Sequence, residues 1–315
     1  PHIWNLPFWG RNEEIYQISE CIVGGAKDGC PRCVAIGGED GVGKSALLDK
    51  AMQMVKGYQM IGLYAACYRE ESEFFLRPWS DIFWEVEQRA DCQVLRESMS
   101  EEKWEQLEHF FKGKVMEENG KSGALNYQVM EQAVIDMFRK ILEHNKVVLF
   151  FDDIQWMDQT SLQLLNRLLL TFGTHKILLM CTFNQEKDAD VMESLNNIVK
   201  KGWLHVINLF PFNEKETNEI LCKFLPELSE DQKKRQNVYR MTEGNAFFLM
   251  ESINLMKEKG YTLEKSQKTN NVIKARLVGL PEQELEVLNC MSLFPEKVSI
   301  EEIELLHLDM DRLTL

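Results

Sequence analysis

The sequence predicts an α/β fold built on a parallel sheet, followed by an all-helical unit. Short apolar runs of strand length alternate with longer amphipathic runs through the first two-thirds of the chain, the pattern of a sheet wrapped by helices. Two of the apolar runs, Val147–Phe151 and Ile177–Cys181, are continuous (VVLFF and ILLMC), as strands buried on both faces require. After Pro211 the strand signals stop and only the helical period remains.

Taken in order, the strands are expected at Cys33–Gly37, Gln59–Ala66, Val147–Asp152, Ile177–Thr182 and Leu204–Leu209. Between them the helical period predicts helices near Glu13–Val23, Ser45–Val55, Trp79–Gln88, Glu102–Phe111, Tyr127–Glu143, Ser161–Leu170 and Val191–Lys200. The helical unit is expected to hold Glu214–Phe224, Gln232–Thr242 and Phe247–Lys259, and a polar stretch, Glu264–Asn271, precedes two further helices at Glu282–Leu293 and Ile300–Leu306. The expected division is 1–210, 211–270 and 271–315, the last read as the truncated start of a third domain.

Composition narrows the function classes. A chain of 315 residues with 44% apolar and 27% charged residues matches an ordinary globular protein. Its formal charge of −14 repels nucleic acid and anionic membranes, so DNA contact is expected only through parts of a longer protein. The apolar runs are far too short to span a bilayer, so no membrane partner is expected. No basic segment followed by an apolar one opens the chain, so no signal peptide is expected. The start at Pro1 is read as the end of a cut or processed piece. Eight scattered cysteines, several inside apolar patterns, suit buried thiols in a reducing cytoplasm. Cys30 and Cys33 have the spacing of half a zinc site but lack a second pair, so zinc is not predicted.

One motif dominates. Gly38-Glu39-Asp40-Gly41-Val42-Gly43-Lys44-Ser45 is a full match to G-x-x-x-x-G-K-[ST], and it stands between an expected strand (CVAIG) and an expected helix (ALLDKAMQMV). Glycines let backbone N–H groups turn inward around a phosphate chain where a Cβ would obstruct them. Lys44 is expected as an exposed charge on the β- and γ-phosphates, with no part in the core, and the Ser45 hydroxyl as a Mg²⁺ ligand. The helix that starts at Ser45-Ala46 adds its positive end to the same anion. The second motif is Lys146–Asp153, an apolar strand ending in two carboxylates. Asp152 is the expected metal-side carboxylate, and Asp153 is placed to polarise an attacking water. The cofactors implied are a nucleoside di- or triphosphate with Mg²⁺.

Asp152–Asp158 (DDIQWMD) resembles the D-D-x-x-W-x-D signature of the signal-transduction ATPases with numerous domains, the STAND class of AAA+-like P-loop NTPases. Within that class it is most similar to the bacterial transcriptional activators related to the maltose-regulon activator, whose ATPase module also accompanies some adenylyl cyclases. Five further segments resemble the family in order: Phe8–Ile15 (FWGRNEEI), Cys67–Phe83, Leu209–Leu221, Thr242–Ile253 (TEGNAFFLMESI) and Arg276–Phe294. The resemblance spans nearly the whole chain. It implies a helical lid, the start of a winged-helix domain, and nucleotide contacts from Phe8, Arg11, Gly244 and Asn245. It also implies that the nucleotide is ATP or ADP rather than GTP, in keeping with the lack of an N/T-K-x-D guanine signature, and self-association in the ATP state.

Two positions depart from the family. Ala246 stands where a base-contacting Pro is usual, and Asn184 where an Arg follows the fourth strand. An Asn there can hydrogen-bond a γ-phosphate or the attacking water but carries no charge, so Asn184 joins Lys44 and Asp153 among the candidate catalytic residues. Other residues keep two readings. Arg11 is a nucleotide contact or a surface arginine beside the Glu13/Glu14 helix start, and Trp156 is a signature residue or ordinary packing. The expected function is a regulatory switch in a multidomain signalling protein of the transcriptional-regulator type, reset by slow ATP hydrolysis. Its rivals are a constitutive AAA+-type remodelling ATPase and an ATPase module attached to an adenylyl cyclase.

Overall fold

The computed structural model describes residues 8–24, 31–112, 127–172, 176–184, 193, 195–259 and 288. They divide into two compact units, one formed by Gly10–Phe210 and the other by Pro211–Leu315 with Pro1–Trp9.

The first unit is an α/β layer structure. Helix α1 (Asn12–Gly24) leads into β1 (Cys33–Gly38), α2 (Lys44–Gly57) and β2 (Ile61–Ala66). Helices α3 (Arg77–Glu87), α4 (Cys92–Glu97), α5 (Glu101–Lys112) and α6 (Tyr127–His144) precede β3 (Val147–Asp152). Then come α7 (Gln159–Phe172), β4 (Ile177–Asn184), α8 (Asn196–Lys200) and β5 (Leu204–Leu209). All the strand pairs are parallel and the order is β2-β3-β4-β1-β5.

Continuous apolar sequence and two-sided burial go together here. Alternate strand residues point to opposite faces. Cys33, Ala35, Leu149, Phe151, Leu179 and Cys181 join one core with Trp79, Phe83, Leu107 and Phe138 from the helices that follow β2. The intervening residues Val34, Ile36, Val148, Phe150 and Met180 are buried as well, and α2 packs against this sheet. The described cysteines are free thiols, and burial pushes the thiols of Cys33 and Cys67 well above their ordinary range, so both stay protonated.

Three details were not in the sequence pattern. Strand β2 starts at Ile61 instead of Gln59, because Gln59 adopts a left-handed φ of 56° and the Met60 N–H donates back to Val55 at the end of α2. The short helix α4 has no clear apolar period. Strand β4 continues past Thr182 to Asn184, whose register partner on β1 is Gly38, the first residue of the glycine motif. The expected helix Val191–Lys200 is seen only as α8, its start lying outside the described residues.

The described residues of the second unit are mainly helical. It contains α9 (Glu214–Phe224), α10 (Gln232–Thr242) and α11 (Ala246–Lys259), closed around Phe212, Ile220, Leu221, Leu225, Val238, Leu249 and Ile253. Asn213 and Glu216 form a reciprocal capping box at the start of α9, each bonding the other's backbone N–H, at 3.0 and 2.8 Å. Trp9 belongs to this unit, edge-on to Phe224 at 6.2 Å with the Lys223 ammonium over its ring. The helices expected at 282–293 and 300–306 lie outside the described residues apart from Leu288. Among the described residues no helix is long and apolar enough to cross a membrane.

Candidate nucleotide-binding site

In a parallel α/β sheet, ligands bind beyond the carboxyl ends of the strands, where loops lead into helices. The strand order places β4 between β1 and β3, so the ends of these three strands stand side by side. Gly38, Asp152 and Asn184 are their last residues.

The loop from Gly38 to Lys44 is shaped for close backbone approach. Gly43 sits at φ 103° immediately before α2, a conformation that only glycine adopts without strain. A Cβ added to Gly38 would stand 2.8 Å from the Leu209 carbonyl oxygen, so the first turn of the loop has no room for a side chain. Lys44 corrects the sequence expectation. Its side chain is buried, not exposed, and its Nζ donates to the carbonyls of Gly38 and Glu39, each at 3.0 Å. A buried ammonium must be compensated, and here the loop's own backbone does it, with the Asp40 carboxylate 3.7 Å away. The lysine therefore also holds the loop closed.

Arg11 is likewise neither a loose surface arginine nor aimed at open space. Its guanidinium donates to the Val42 carbonyl at 3.2 Å and to the Phe210 carbonyl at 2.7 Å, with Glu14 at 3.4 Å. It ties the loop to the chain leaving β5. Arg11 itself is left-handed, at φ 59°.

The carboxylates are held by a residue with no sequence signature. The Thr182 hydroxyl, wholly buried on β4, donates to Asp152 and accepts from the Asp153 N–H at 2.8 Å. One oxygen of Asp152 is thereby fixed. Asp153 takes a left-handed φ of 55°, which Asp tolerates better than most residues, and Gln155 donates to its Oδ1 at 3.0 Å. Burial, aided by the charge of Asp152, raises the Asp153 pKa above the ordinary carboxylate range; the Gln155 hydrogen bond and the Lys44 charge oppose the shift. Asn184 completes the edge. Its amide donates to Asp40 Oδ1 at 2.8 Å, and its N–H to Gln155 Oε1 at 3.3 Å.

The rest of the D-D-x-x-W-x-D segment is architectural. Trp156 packs on the core and carries Arg69 over its ring at 5.4 Å. Asp158 accepts from the Ser161 N–H at 2.9 Å and caps α7. Gly244 and Asn245 lie in the helical unit. Gly244 has φ +73°, its O accepts from Phe212 N–H at 2.8 Å, and an added Cβ would meet the Phe212 carbonyl oxygen at 1.8 Å. Asn245 caps α11, accepting from Phe247 at 3.1 Å and Phe248 at 3.4 Å. Phe8 is half-buried in its own segment of that unit.

The side chains fit a magnesium-bound nucleotide. Among the described residues no group of three or more His, Cys, Asp or Glu is arranged to hold a metal. Mg²⁺ does not need one, because it is usually held by one or two protein oxygens together with water and substrate phosphates. Ser45 and Asp152 offer hard oxygen donors of that kind.

Residues 7–180 match the family model described as the AAA ATPase domain, more than half of the chain. The chain belongs to the AAA ATPase domain family. No curated protein matches it. The solved structures similar to this AAA ATPase domain include Cdc6p from Pyrobaculum aerophilum, with 15% identity, a TM-score of 0.50, and coverage of 96% of this chain and 80% of that one. The replication initiator DnaA bound to AMPPCP and single-stranded DNA is also similar, with 14% identity, a TM-score of 0.50, and coverage of 93% and 73%. At such identity the likeness is one of fold.

Proposed function

We propose that this AAA ATPase domain binds Mg·ATP or Mg·ADP through Gly38–Ala46 and Asp152 and serves as a regulatory switch reset by slow hydrolysis. The observation that supports it most is the convergence of Lys44, Asp152, Asp153 and Asn184 at one sheet edge from three different strand ends.

In this reading Lys44 exchanges its two loop carbonyls for phosphate oxygens, and the backbone N–H groups of the glycine loop wrap the phosphates. Ser45 and Asp152 would hold Mg²⁺, which when bound would supply positive charge to offset that of the phosphates. Asp153 accepts a proton from the attacking water, and its raised pKa makes it a stronger base than a solvated carboxylate. Asn184 orients the water or the terminal phosphate through its amide. Lacking the charge of an arginine, it supports slow turnover. Arg11 acts by positioning the loop through Val42. Phe8, Gly244 and Asn245 are proposed as nucleotide contacts on the motif likeness alone.

The switch and its setting rest on the same likeness. ADP would favour a resting form and ATP a self-associating one, each selected by differential affinity. Residues 211–270 would be the lid and 271–315 the start of a winged helix, in a cytoplasmic signalling protein that meets DNA only through other regions. Steady-state phosphate release measured alongside retained nucleotide tests this. Very slow release with ADP kept on the protein supports the switch, whereas sustained turnover with freely exchanging ADP points to the remodelling ATPase instead.

A further inference from the structure

We propose that Asp40 is an internal anion that competes with the terminal phosphate, biasing this site toward a nucleoside diphosphate over a triphosphate. The inference rests on the nucleotide reading above and deepens it.

Asp40 Oδ1 stands 3.7 Å from the Lys44 ammonium and accepts from the Asn184 amide N–H at 2.8 Å. An ammonium and an amide that converge on one anionic oxygen are the donors a phosphate oxygen would take. The lysine of such a loop reaches the β- and γ-phosphates. A group lying between that lysine and the end of β4 therefore occupies the place of the outermost phosphate. Asn184 is fixed there by its register with Gly38 and by the Gln155 contact.

The Asp40 side chain is 91% exposed, so it contributes no core packing and moves aside at little cost. Moving aside does not remove its charge. A diphosphate can satisfy Lys44 while Asp40 keeps the Asn184 amide. A triphosphate must take that amide as well, and it brings further negative charge beside the Asp40 carboxylate that it displaces from Lys44 and Asn184. The repulsion is greatest for the outermost phosphate because Coulomb energy falls with distance and is screened by water.

The test is calorimetry with the full chain, using Mg·ADP and a non-hydrolysable Mg·ATP analogue with an imido β,γ-bridge, on the wild type, Asp40→Ala and Asp40→Asn. The expected result is that Asp40→Ala tightens the triphosphate about tenfold and the diphosphate no more than about twofold, from loss of one like charge at short range. Asp40→Asn should give most of the same shift, because it removes the charge and keeps an acceptor for Asn184. Equal changes for both nucleotides, or none, would overturn the proposal. A shift in Asp40→Ala that is absent in Asp40→Asn would also overturn it, by assigning the effect to bulk. Failure of the wild-type chain to bind either nucleotide is a different outcome and would overturn the nucleotide reading itself.

Discussion

The Asp153 backbone N–H donates to the Thr182 hydroxyl at 2.8 Å, joining the end of β3 to β4. The same hydroxyl donates to Asp152, so one buried side chain sets the turn after β3 and the orientation of the metal-side carboxylate. Thr182→Val keeps the shape and removes both bonds. It should destabilise the α/β unit by about 1–3 kcal/mol, since two polar groups lose a wholly buried partner. Thr182→Ser should restore most of that. Thermal unfolding checks it, with a drop of about 2–4 °C per kcal/mol expected for a unit of this size. A valine variant that unfolds like the wild type would remove Thr182 from the design.

Asp153→Asn separates stability from chemistry. The raised pKa of Asp153 means that its charged form is disfavoured in the folded chain, by burial first and by Asp152 next. The sign follows directly: a carboxylate with a raised folded-state pKa favours folding most at acid pH and loses that contribution as pH rises through the titration. At neutral pH the neutral asparagine should therefore raise the melting temperature of the nucleotide-free chain. It should also slow hydrolysis by roughly 10²–10⁴-fold while binding persists. In the wild type, turnover should fall with acidity at a pH above that at which a solvated aspartate titrates. A variant that is less stable and equally active would contradict both roles.

Gly244→Ala tests why the helical unit carries glycine there. A side chain must adopt φ +73° and place its Cβ 1.8 Å from the Phe212 carbonyl oxygen, which only backbone movement can relieve. The left-handed conformation alone costs about 1–2 kcal/mol, and the clash adds to it. Gly57→Ala is the control, because nothing lies within 4 Å of an added Cβ there. Hydrogen exchange of residues 211–259 should accelerate in the first variant and stay unchanged in the second. Equal protection in both would show that Phe212 and Gly244 do not fix this unit.

Much of this architecture is legible in the sequence because burial on both sheet faces leaves apolar runs of strand length, each ending at polar residues. VVLFF and ILLMC become β3 and β4, and the phosphate-loop spacing places Lys44 at the start of α2. The sites that were not legible depend on tertiary partners. Thr182 reads as one more strand residue, since its importance lies in two carboxyl-bearing neighbours thirty positions away. Lys44 reads as an exposed charge, because sequence does not reveal that the loop folds its own carbonyls onto the ammonium. Arg11 reads as a nucleotide contact or a surface arginine at a helix start, and its bond to Phe210 spans nearly the whole unit. The end of β4 is hidden for the same reason: Asn184 is polar, and only its pairing with Gly38 keeps it in the strand.

Lys44 carries the central claim, and calorimetry with Mg·ADP on the wild type and Lys44→Ala tests it most directly. The account predicts that the wild type binds and that the variant loses at least about a hundredfold in affinity, as expected when a lysine that neutralises a polyphosphate is removed. Because Lys44 also bonds the Gly38 and Glu39 carbonyls, hydrogen exchange across residues 38–44 should rise in the variant while the strands stay protected. A folded Lys44→Ala chain that binds Mg·ADP as tightly as the wild type would contradict the assignment of this loop as the nucleotide site.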